Sequence, residues 1–356
     1  MICRSAAATA GPRLGSPRAP HLLRWPGGRR RLGSWCTLRE PRHRELRSRA
    51  LAGLLTLALC QCTSDDVGGT SETTGIQLPP PPPPPPETGG DPLPVEFGGD
   101  RPVRLRFPTS FDPERTYPLL LALHEFGADA EHEVGALQLA DLVESQGVLL
   151  LAPDGSPATD GRLAWNACPA CCGHLDVDDV AYLGGLLDDV IDAWPVDTAR
   201  VFVVGHSNGH FMAYRLACER ADVVTAVAGV GGAATSVDGS GCEPARPLSV
   251  LHLHGSEDTV ILYGGGFYDD LYPGAVDSVA QWAAHDGCDG SFAPGLPRNL
   301  IDALPGDETT SSVAQGCPLG IGVELWTMVG AYHHPNLRAG FGEELFAWLD
   351  QHPREM

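Results

Sequence analysis

The chain has 356 residues, of which 43% are hydrophobic and 19% are charged, so it is rich enough in apolar side chains to build a sizeable core and is not wholly disordered. Residues 1–50 contain 12 arginines and two acidic residues, whereas residues 51–356 contain 12 arginines and 43 acidic residues. So acidic a region repels phosphate backbones, which excludes nucleic acid as an expected partner.

The first predicted element is a basic leader that ends in an apolar run. Residues 41–49 are polar and arginine-rich, and residues 50–60 form an apolar run of 11 residues. This order is typical of a secretory signal, so we interpret residues 1–62 as a leader and signal, with a short buried helix as the alternative. No apolar run in the sequence reaches the roughly 18 residues that a membrane-spanning helix needs.

Cys60 lies where the apolar run ends, as the modified cysteine of a bacterial lipoprotein does. The preceding residue, Leu59, is larger than the residue usually found there, so the resemblance is incomplete. Free secretion and a lipid anchor to a membrane therefore both stay open, and in either case we expect an extracellular or cell-surface protein.

A proline-rich linker is predicted for residues 63–94. Pro79 to Pro86 is an unbroken run of eight prolines. Such a run favours polyproline II and spans roughly 25 Å at about 3.1 Å per residue. We interpret the segment as a disordered spacer, with a ligand for a proline-binding domain as the alternative.

Residues 95–356 alternate between short apolar runs and amphipathic segments, which predicts one α/β domain. Continuous apolar runs suit parallel strands that are buried on both faces. Helical periodicity is found at residues 178–194 and 339–351. The pattern predicts a doubly wound, mostly parallel sheet with helices on both faces. The six runs are Leu119–Leu123, Val148–Ala152, Val201–Val204, Val223–Val230, Leu248–Leu253 and Val323–Val329.

The segment 205–209, Gly-His-Ser-Asn-Gly, lies between a predicted strand and a helix-like stretch at Phe211–Cys218. Gly-x-Ser-x-Gly in this setting is the nucleophile elbow, in which two glycines permit a turn too tight for side chains. We therefore predict that Ser207 is a nucleophile held at the strand end, over a helix N-terminus that favours an anion. A plain tight turn is the alternative.

A serine nucleophile needs a base and an orienting acid. In hydrolases with this elbow the acid and then the histidine follow the serine in the sequence. Asp258 comes just after a predicted strand, with Glu257 as a local alternative. His333 and His334 follow the last predicted strand, and the residues alone do not decide between them as the base.

Several motifs in order resemble the secreted polyhydroxybutyrate depolymerase and feruloyl esterase family of α/β-hydrolases, from about residue 95 to the C-terminus. The matching motifs are Trp-Asn-Ala at 165–167, Cys-Cys-Gly at 171–173, Val-Asp-Asp-Val at 177–180, Gly-His-Ser-Asn-Gly-His-Phe-Met at 205–212, His-Gly-Ser-Glu-Asp at 254–258 with Tyr263, and Gln-Trp-Ala-Ala at 281–284 with Gly-Cys at 287–288.

The resemblance implies an α/β-hydrolase fold and a serine esterase without a cofactor. By position in the family motifs, Asp258 is the acid and His333 the base, with His334 as the alternative base. The oxyanion donors are then the backbone N–H groups of Phe126 and Asn208, each worth roughly 3–4 kcal/mol. The implied substrates are feruloyl or acetyl esters on plant polysaccharide, or short polyhydroxyalkanoates.

The sequence departs from the family pattern at three places, and each bears on the predicted esterase site. Glu125 stands in the oxyanion loop, where the family has glycine, and its carboxylate would oppose an oxyanion at ~5 Å by about 3 kcal/mol if it pointed inward. His210 replaces a glycine beside the elbow, and we expect it on the helix surface. The tryptophan that follows the base in the family is absent, and one residue is missing before Pro335.

Cysteine usage is typical of an exported domain. Seven cysteines lie in residues 95–356, and we predict the disulfides Cys218–Cys242 and Cys288–Cys317. One cysteine among residues 168, 171 and 172 is then left unpaired. The Cys-x-x-Cys-Cys-x-His pattern at 168–174 lacks a second ligand pair, and the acids at 176–179 lack a calcium-loop pattern, so no metal is expected.

We therefore predict an exported, monomeric serine esterase that binds an ester substrate and no nucleic acid, with the lipid anchor left open. Two alternatives remain: a catalytically weakened surface binding protein on the same scaffold, motivated by Glu125 and the shortened loop after His334, and a serine peptidase.

Overall fold

The computed structural model describes residues 93–172 and 175–355, which form fourteen strands and six helices. The predicted leader and nearly all of the predicted linker lie outside the described residues, so both stay predictions. The strands are β1 (Glu96–Phe97), β2 (Val103–Arg104), β3 (Tyr117–Leu123), β4 (Leu149–Leu151), β5 (Ser156–Pro157), β6 (Leu163–Ala164), β7 (Val196–His206), β8 (Ala226–Val230), β9 (Ser249–Gly255), β10 (Gly266–Phe267), β11 (Leu271–Tyr272), β12 (Phe292–Pro294), β13 (Thr309–Ala314) and β14 (Val323–Met328). The helices are α1 (Ala130–Ala136), α2 (Ala140–Ser145), α3 (Asp179–Ala193), α4 (Asn208–Glu219), α5 (Ala275–His285) and α6 (Phe341–Asp350).

Eight strands form the central sheet in the order β12-β13-β14-β9-β8-β7-β3-β4. The six strands from β14 to β4 pair in parallel, and they coincide with the six apolar runs of the sequence. The predicted mostly parallel α/β-hydrolase sheet is therefore confirmed. Two antiparallel strands, β12 and β13, extend one edge, and sequence analysis did not predict them.

Helices cover both faces of the sheet because alternate side chains of each strand point to opposite sides. On β3, Leu119 and Leu121 belong to one core cluster, while Leu120 and Ala122 belong to the other. Buried residues of α3, α4 and α5 pack in the first cluster, and those of α1, α2 and α6 pack in the second. Each continuous apolar run thus fills two cores at once.

Disulfides tie two helix ends to the loops beside them. Cys218–Cys242 joins the end of α4 to the segment between β8 and β9, and Cys288–Cys317 joins the region after α5 to the segment between β13 and β14. A third bond links the adjacent residues Cys171 and Cys172, which leaves Cys168 free. Among the described residues, no helix has the length and apolar character needed to cross a membrane.

Two of the acids considered for calcium have structural partners instead. Asp178 caps α3 by accepting a hydrogen bond from the backbone of Ala181 at 2.9 Å. Asp179 is buried, pairs with Arg101 at 2.7 Å and accepts from the backbone N–H of Asn166 at 2.7 Å. Asp178 therefore caps α3, and Asp179 joins the first residue of α3 to Arg101 and Asn166. His174, the last residue of the cysteine-histidine pattern, lies outside the described residues.

Asp286, just after α5, is a buried acid whose carboxylate accepts a hydrogen bond from one donor among the described residues. Its Oδ1 accepts from the backbone N–H of Leu248 at 3.0 Å, and its Oδ2 has no partner within the described part of the chain. Burial raises the pKa of Asp286 to about 7, against the opposing effect of that hydrogen bond. The folded protein consequently holds this proton to a higher pH than the unfolded chain does.

The free energy of unfolding of the wild type should fall as pH rises from about 4 to 7, and we expect Asp286→Asn to abolish this fall. In that range the unfolded carboxyl is ionised while the folded one stays protonated, so the free energy of unfolding falls as pH rises, by up to about 1.4 kcal/mol per pH unit. Urea unfolding at several pH values from 4 to 8 measures the slope for both proteins. Asp277→Asn, an exposed change within the preceding helix α5, is the control. An equal slope in wild type and Asp286→Asn would contradict the assignment.

Candidate active site

Ser207 lies in a strained turn between β7 and α4. Its backbone has φ +50° and ψ −117°, a conformation that residues with a side chain rarely adopt. The flanking glycines make the turn sterically feasible: a Cβ on Gly205 would lie 2.4 Å from the carbonyl carbon of Gly209, and a Cβ on Gly209 would lie 1.9 Å from the oxygen of Leu123. The sequence folds into the predicted elbow because both positions lack side chains.

Ser207, His333 and Asp258 are brought together from three strand ends. The Nε2 of His333 lies 2.9 Å from the Oγ of Ser207, and its Nδ1 lies 2.7 Å from the Oδ2 of Asp258. Each of the three residues is only 5% exposed. This is the arrangement in which an imidazole can take the proton of a serine hydroxyl while a carboxylate fixes its orientation.

Asp258 is held as an anion by several donors. Its Oδ1 accepts from the backbone N–H groups of Val260 at 2.8 Å and Ile261 at 2.9 Å. Burial raises the pKa of Asp258, but hydrogen bonds from His254 and His333 outweigh burial and hold the pKa well below its usual range. A carboxylate so stabilised stays charged beside the Nδ1 of His333.

The alternative base, His334, and the alternative acid, Glu257, make no hydrogen bond with Ser207. The Nε2 of His334 is 2.6 Å from the Oε2 of Glu125, and its ring is largely exposed. Glu257 is exposed, whereas Asp258 is buried. The structure therefore brings His333 and Asp258, not His334 and Glu257, into contact with the serine system.

The loop after β3, which carries the expected oxyanion donor Phe126, is fixed by His124. Its Nδ1–H donates to the carbonyl of Glu125 at 2.7 Å, and its Nε2 accepts from the backbone N–H of Gly155 at 2.8 Å. The same carbonyl accepts from the backbone of Ala128 at 3.2 Å. Because a trans peptide points its C=O and N–H in opposite directions, these contacts fix the direction of the N–H of Phe126.

Asn208, the other expected donor, is the first residue of α4, so its backbone N–H has no acceptor within the helix. Its side chain accepts from the backbone N–H of Trp165 at 2.7 Å and donates to the carbonyl of the same residue at 3.0 Å. Trp165 in turn donates its indole N–H to the carbonyl of His124 at 3.0 Å. These bonds connect the helix N-terminus to the loop that carries Phe126.

Glu125 directs its carboxylate at imidazoles. Besides His334, the Nδ1 of His206 lies 3.8 Å from its Oε2 and the Nε2 of His132 lies 3.5 Å from its Oε1. Burial raises the pKa of Glu125, but the neighbouring His206 and His334 outweigh burial and lower the pKa below its ordinary value. The carboxylate is therefore charged, and the polar groups nearest to it are histidine nitrogens.

His210 was expected on the helix surface, and that expectation is wrong. The ring is fully buried, and its Nδ1 accepts from the backbone N–H of Gly232 at 3.0 Å. A Cβ on Gly229 would lie 2.2 Å from the ring, and one on Gly232 would lie 2.7 Å from it. Two glycines on and after β8 thus make the room for this imidazole.

A directional chain of hydrogen bonds, not recognised in the sequence, leads toward the acid. The hydroxyl of Tyr214 donates to the Nδ1 of His252 at 2.7 Å, and the Nε2–H of His252 donates to the Nδ1 of His254 at 3.0 Å. His254 then donates to the carbonyl of Ile261 at 2.8 Å and lies 3.4 Å from the Oδ2 of Asp258. The direction follows because a carbonyl only accepts. The signal in the sequence was the histidine that opens the motif at 254–258.

An open cavity of about 390 Å³ borders the serine. Arg162 crosses one wall, with its guanidinium 4.0 Å from the ring centroid of Phe126. Tyr268 and Val260 contribute exposed apolar surface at the cavity. The cavity is large enough for a small acyl group beside Ser207 and continues to solvent. The other lining residues are Glu125, Gly127, Ala128, His132, Cys172, Ile261, His333 and His334.

Comparison with known proteins finds esterases. The chain is 29% identical over 241 residues to feruloyl esterase B of Piromyces equi, covering 65% of this chain and 42% of that protein. It is 27% identical over 256 residues to feruloyl esterase D of Neurospora crassa, covering 68% and 76%. Among solved structures, an acetyl xylan esterase from Aspergillus awamori superposes with a TM-score of 0.51 at 18% identity, covering 70% of this chain and 94% of that one. No family model matches the chain.

The fold and the site define the class of an α/β-hydrolase. The relatives that the comparison finds are feruloyl esterases, which is the family that the sequence motifs resemble. The chain spans less than half the length of the Piromyces relative and about three quarters of the Neurospora relative.

We expect Gly229→Ala to lower the free energy of unfolding by roughly 1–3 kcal/mol, because the new methyl group overlaps the ring of His210. His210→Ala in the same chain should restore most of that loss, and chemical denaturation of both single variants and the double variant measures the coupling. Strictly additive effects would contradict the contact between the ring and Gly229.

Proposed function

We propose that the chain is an exported serine esterase that hydrolyses carboxylic esters, with feruloyl or acetyl groups on polysaccharide as its substrate class. The observation that carries the proposal is the line of contacts from Ser207 through His333 to Asp258. Short polyhydroxyalkanoates, which share the ester bond, are the alternative substrate. No cofactor enters the reaction, and a monomer suffices because one chain contributes every group described below.

The acylation step follows from these contacts. The Oγ of Ser207 attacks the ester carbonyl as its proton moves to the Nε2 of His333, and Asp258 stabilises the imidazolium through Nδ1. The carbonyl oxygen becomes an oxyanion that accepts hydrogen bonds from the backbone N–H groups of Phe126 and Asn208. When the tetrahedral intermediate collapses, His333 gives its proton to the leaving alcohol oxygen, and an acyl-serine remains.

Deacylation reverses the roles. His333 removes a proton from a water molecule, which attacks the acyl carbonyl, and then returns a proton to the Oγ of Ser207 as the acid leaves. Asp258 remains ionised throughout, which agrees with the donors that lower its pKa. Since the cavity opens to solvent, water reaches the acyl-enzyme without a conformational change.

The substrate class is supported by the relatives and by the wall of the cavity. Two relatives are feruloyl esterases, and a third is a bifunctional acetylxylan esterase/xylanase of Neocallimastix patriciarum, 26% identical over 168 residues. Tyr268 and the ring of Phe126 offer apolar faces to an aromatic acyl group. An open cavity also suits an ester carried by a polymer, which cannot enter an enclosed one.

Export is supported by the apolar run at residues 50–60 and by the two long-range disulfides. The linker at 63–94 then separates the domain from a cell surface if Cys60 carries a lipid, or is a simple extension if the protein is freely secreted.

We expect Ser207→Ala in the full chain to reduce p-nitrophenyl acetate and methyl ferulate hydrolysis at least about 10⁴-fold, because the alanine cannot form the acyl-enzyme. Initial rates and labelling by a fluorophosphonate measure the effect. The wild type should label on Ser207, and the alanine variant should not.

Three other results would overturn the esterase proposal. Folded wild-type chain that binds feruloylated polysaccharide without turnover or labelling is a binding protein. Labelled chain that cleaves peptides but not esters is a serine peptidase. Undiminished turnover in Ser207→Ala excludes this serine as the nucleophile.

We expect Tyr268→Ala to raise the KM for methyl ferulate several-fold more than the KM for p-nitrophenyl acetate, because only the larger aromatic acyl group reaches this wall. Tyr332→Ala is the matched control, since Tyr332 is an exposed tyrosine that does not line the cavity. Equal changes for both substrates would argue against an aromatic acyl group at Tyr268.

A further inference from the structure

We propose that Glu125, His206 and His334 form a binding site for a zinc ion beside the serine, and that zinc bound there inhibits turnover. The binding itself is independent of the proposed function, whereas the inhibition rests on it. The chain owes this group of side chains to Glu125, the residue that departs from the glycine of the related esterases.

The donor atoms already face one another. The Oε2 of Glu125 is 2.6 Å from the Nε2 of His334 and 3.8 Å from the Nδ1 of His206. Together with one nitrogen of His333, these ligand atoms all lie within 4.8 Å of one another. Tetrahedral zinc with bonds of about 2.0–2.1 Å spaces its ligand atoms about 3.3 Å apart, so shifts of less than about 1 Å complete the site.

His206 is oriented as a metal ligand before any ion arrives. Its Nε2 lies 2.9 Å from the carbonyl oxygen of His333 and must therefore carry the proton that it donates. Its Nδ1 consequently presents a lone pair, and that atom is the one nearest the carboxylate. A backbone carbonyl that fixes the tautomer of a histidine ligand is the usual outer support of zinc sites in proteins.

Access and a further ligand are both available. His334 is 62% exposed, and His132, whose Nε2 lies 3.5 Å from the Oε1 of Glu125, is 55% exposed. An ion therefore reaches Glu125 from solvent without unfolding the loop. His132 or water supplies the fourth ligand, and imidazole with carboxylate is a donor set that suits zinc.

An ion at this place interferes with the serine chemistry directly. Glu125, His334 and His132 line the same cavity as Ser207 and His333. The ring of His333 lies 4.9 Å from that of His334 and 5.1 Å from that of His206, between centroids. A dication so close repels the positive charge that His333 gains when it accepts the serine proton, or it binds a nitrogen of His333 as a ligand. The ion also reduces the space in the cavity for the acyl group.

Zinc binding is tested on the untagged full chain carrying Ser207→Ala, so that catalysis plays no part. Equilibrium dialysis should give one zinc per chain, and Co²⁺ in place of zinc should give the visible absorption of a histidine-bound ion. Glu125→Gln, which keeps the size of the side chain, and His334→Ala should each weaken binding at least about tenfold. His285→Ala, a histidine on α5 remote from the group, should leave it unchanged.

Binding that neither Glu125→Gln nor His334→Ala weakens overturns the site, as does the absence of stoichiometric binding at zinc concentrations up to about 1 mM. Circular dichroism and urea unfolding verify that each variant is folded before its affinity is compared. Because these measurements use no substrate, they decide the site even if the chain proves not to be an esterase.

Inhibition is tested with the otherwise unchanged chain and p-nitrophenyl acetate. Zinc should inhibit turnover half-maximally at the concentration at which half of the chains bind zinc, and EDTA should restore turnover. In Glu125→Gln the midpoint should move to at least about tenfold higher zinc, each protein being normalised to its own rate without zinc. Turnover that is unaffected while dialysis shows zinc bound would overturn the inhibitory part alone.

Discussion

The site depends on the contact between β3 and the turn after β7, where the backbone of Gly209 packs against the carbonyl of Leu123. No side chain fits between them, so the end of β3 lies directly beside the nucleophile. Because β3 leads into His124 and Phe126, this contact also brings the loop with the proposed oxyanion donor to the elbow. A serine strained at φ +50° is tolerable only where its surroundings are so tightly determined.

Much of the fold could be predicted because its signals are local. A run such as Leu119–Leu123 is apolar at every position, which only a strand covered on both faces requires. The antiparallel β13 has a different character: its residues, Thr-Thr-Ser-Ser-Val-Ala, are mostly polar and form an edge region, where a strand needs little apolar surface. Its place in the sheet comes from pairing with β14, which no local pattern reveals.

The site shows the same division. The position of an acid or histidine after a strand is visible in the sequence, since parallel strands end at one edge of the sheet. The burial of His210 is not, because the space for its ring is made by Gly229 and Gly232 on another strand and its loop. The partner of Glu125 is equally hidden, since His334 is 209 residues away and sits beside a histidine of similar appearance. Local sequence indicates which groups occur, whereas long-range packing decides which of them meet.

Among the described residues, the side chains that surround the carboxylate of Glu125 are histidines, not arginine or lysine. A permanent cation beside Glu125 would bind the carboxylate tightly, but it would also stand next to the imidazole that must gain a proton. Imidazoles avoid this conflict because they carry no fixed charge: His334 donates a hydrogen bond to Glu125, whereas His206 presents a lone pair toward it. Neutral histidine nitrogens beside a carboxylate have another consequence, because nitrogen lone pairs and a carboxylate together form a donor set that binds transition metals. Surrounding Glu125 with histidines rather than permanent cations therefore gives the site the donor set of the proposed zinc site.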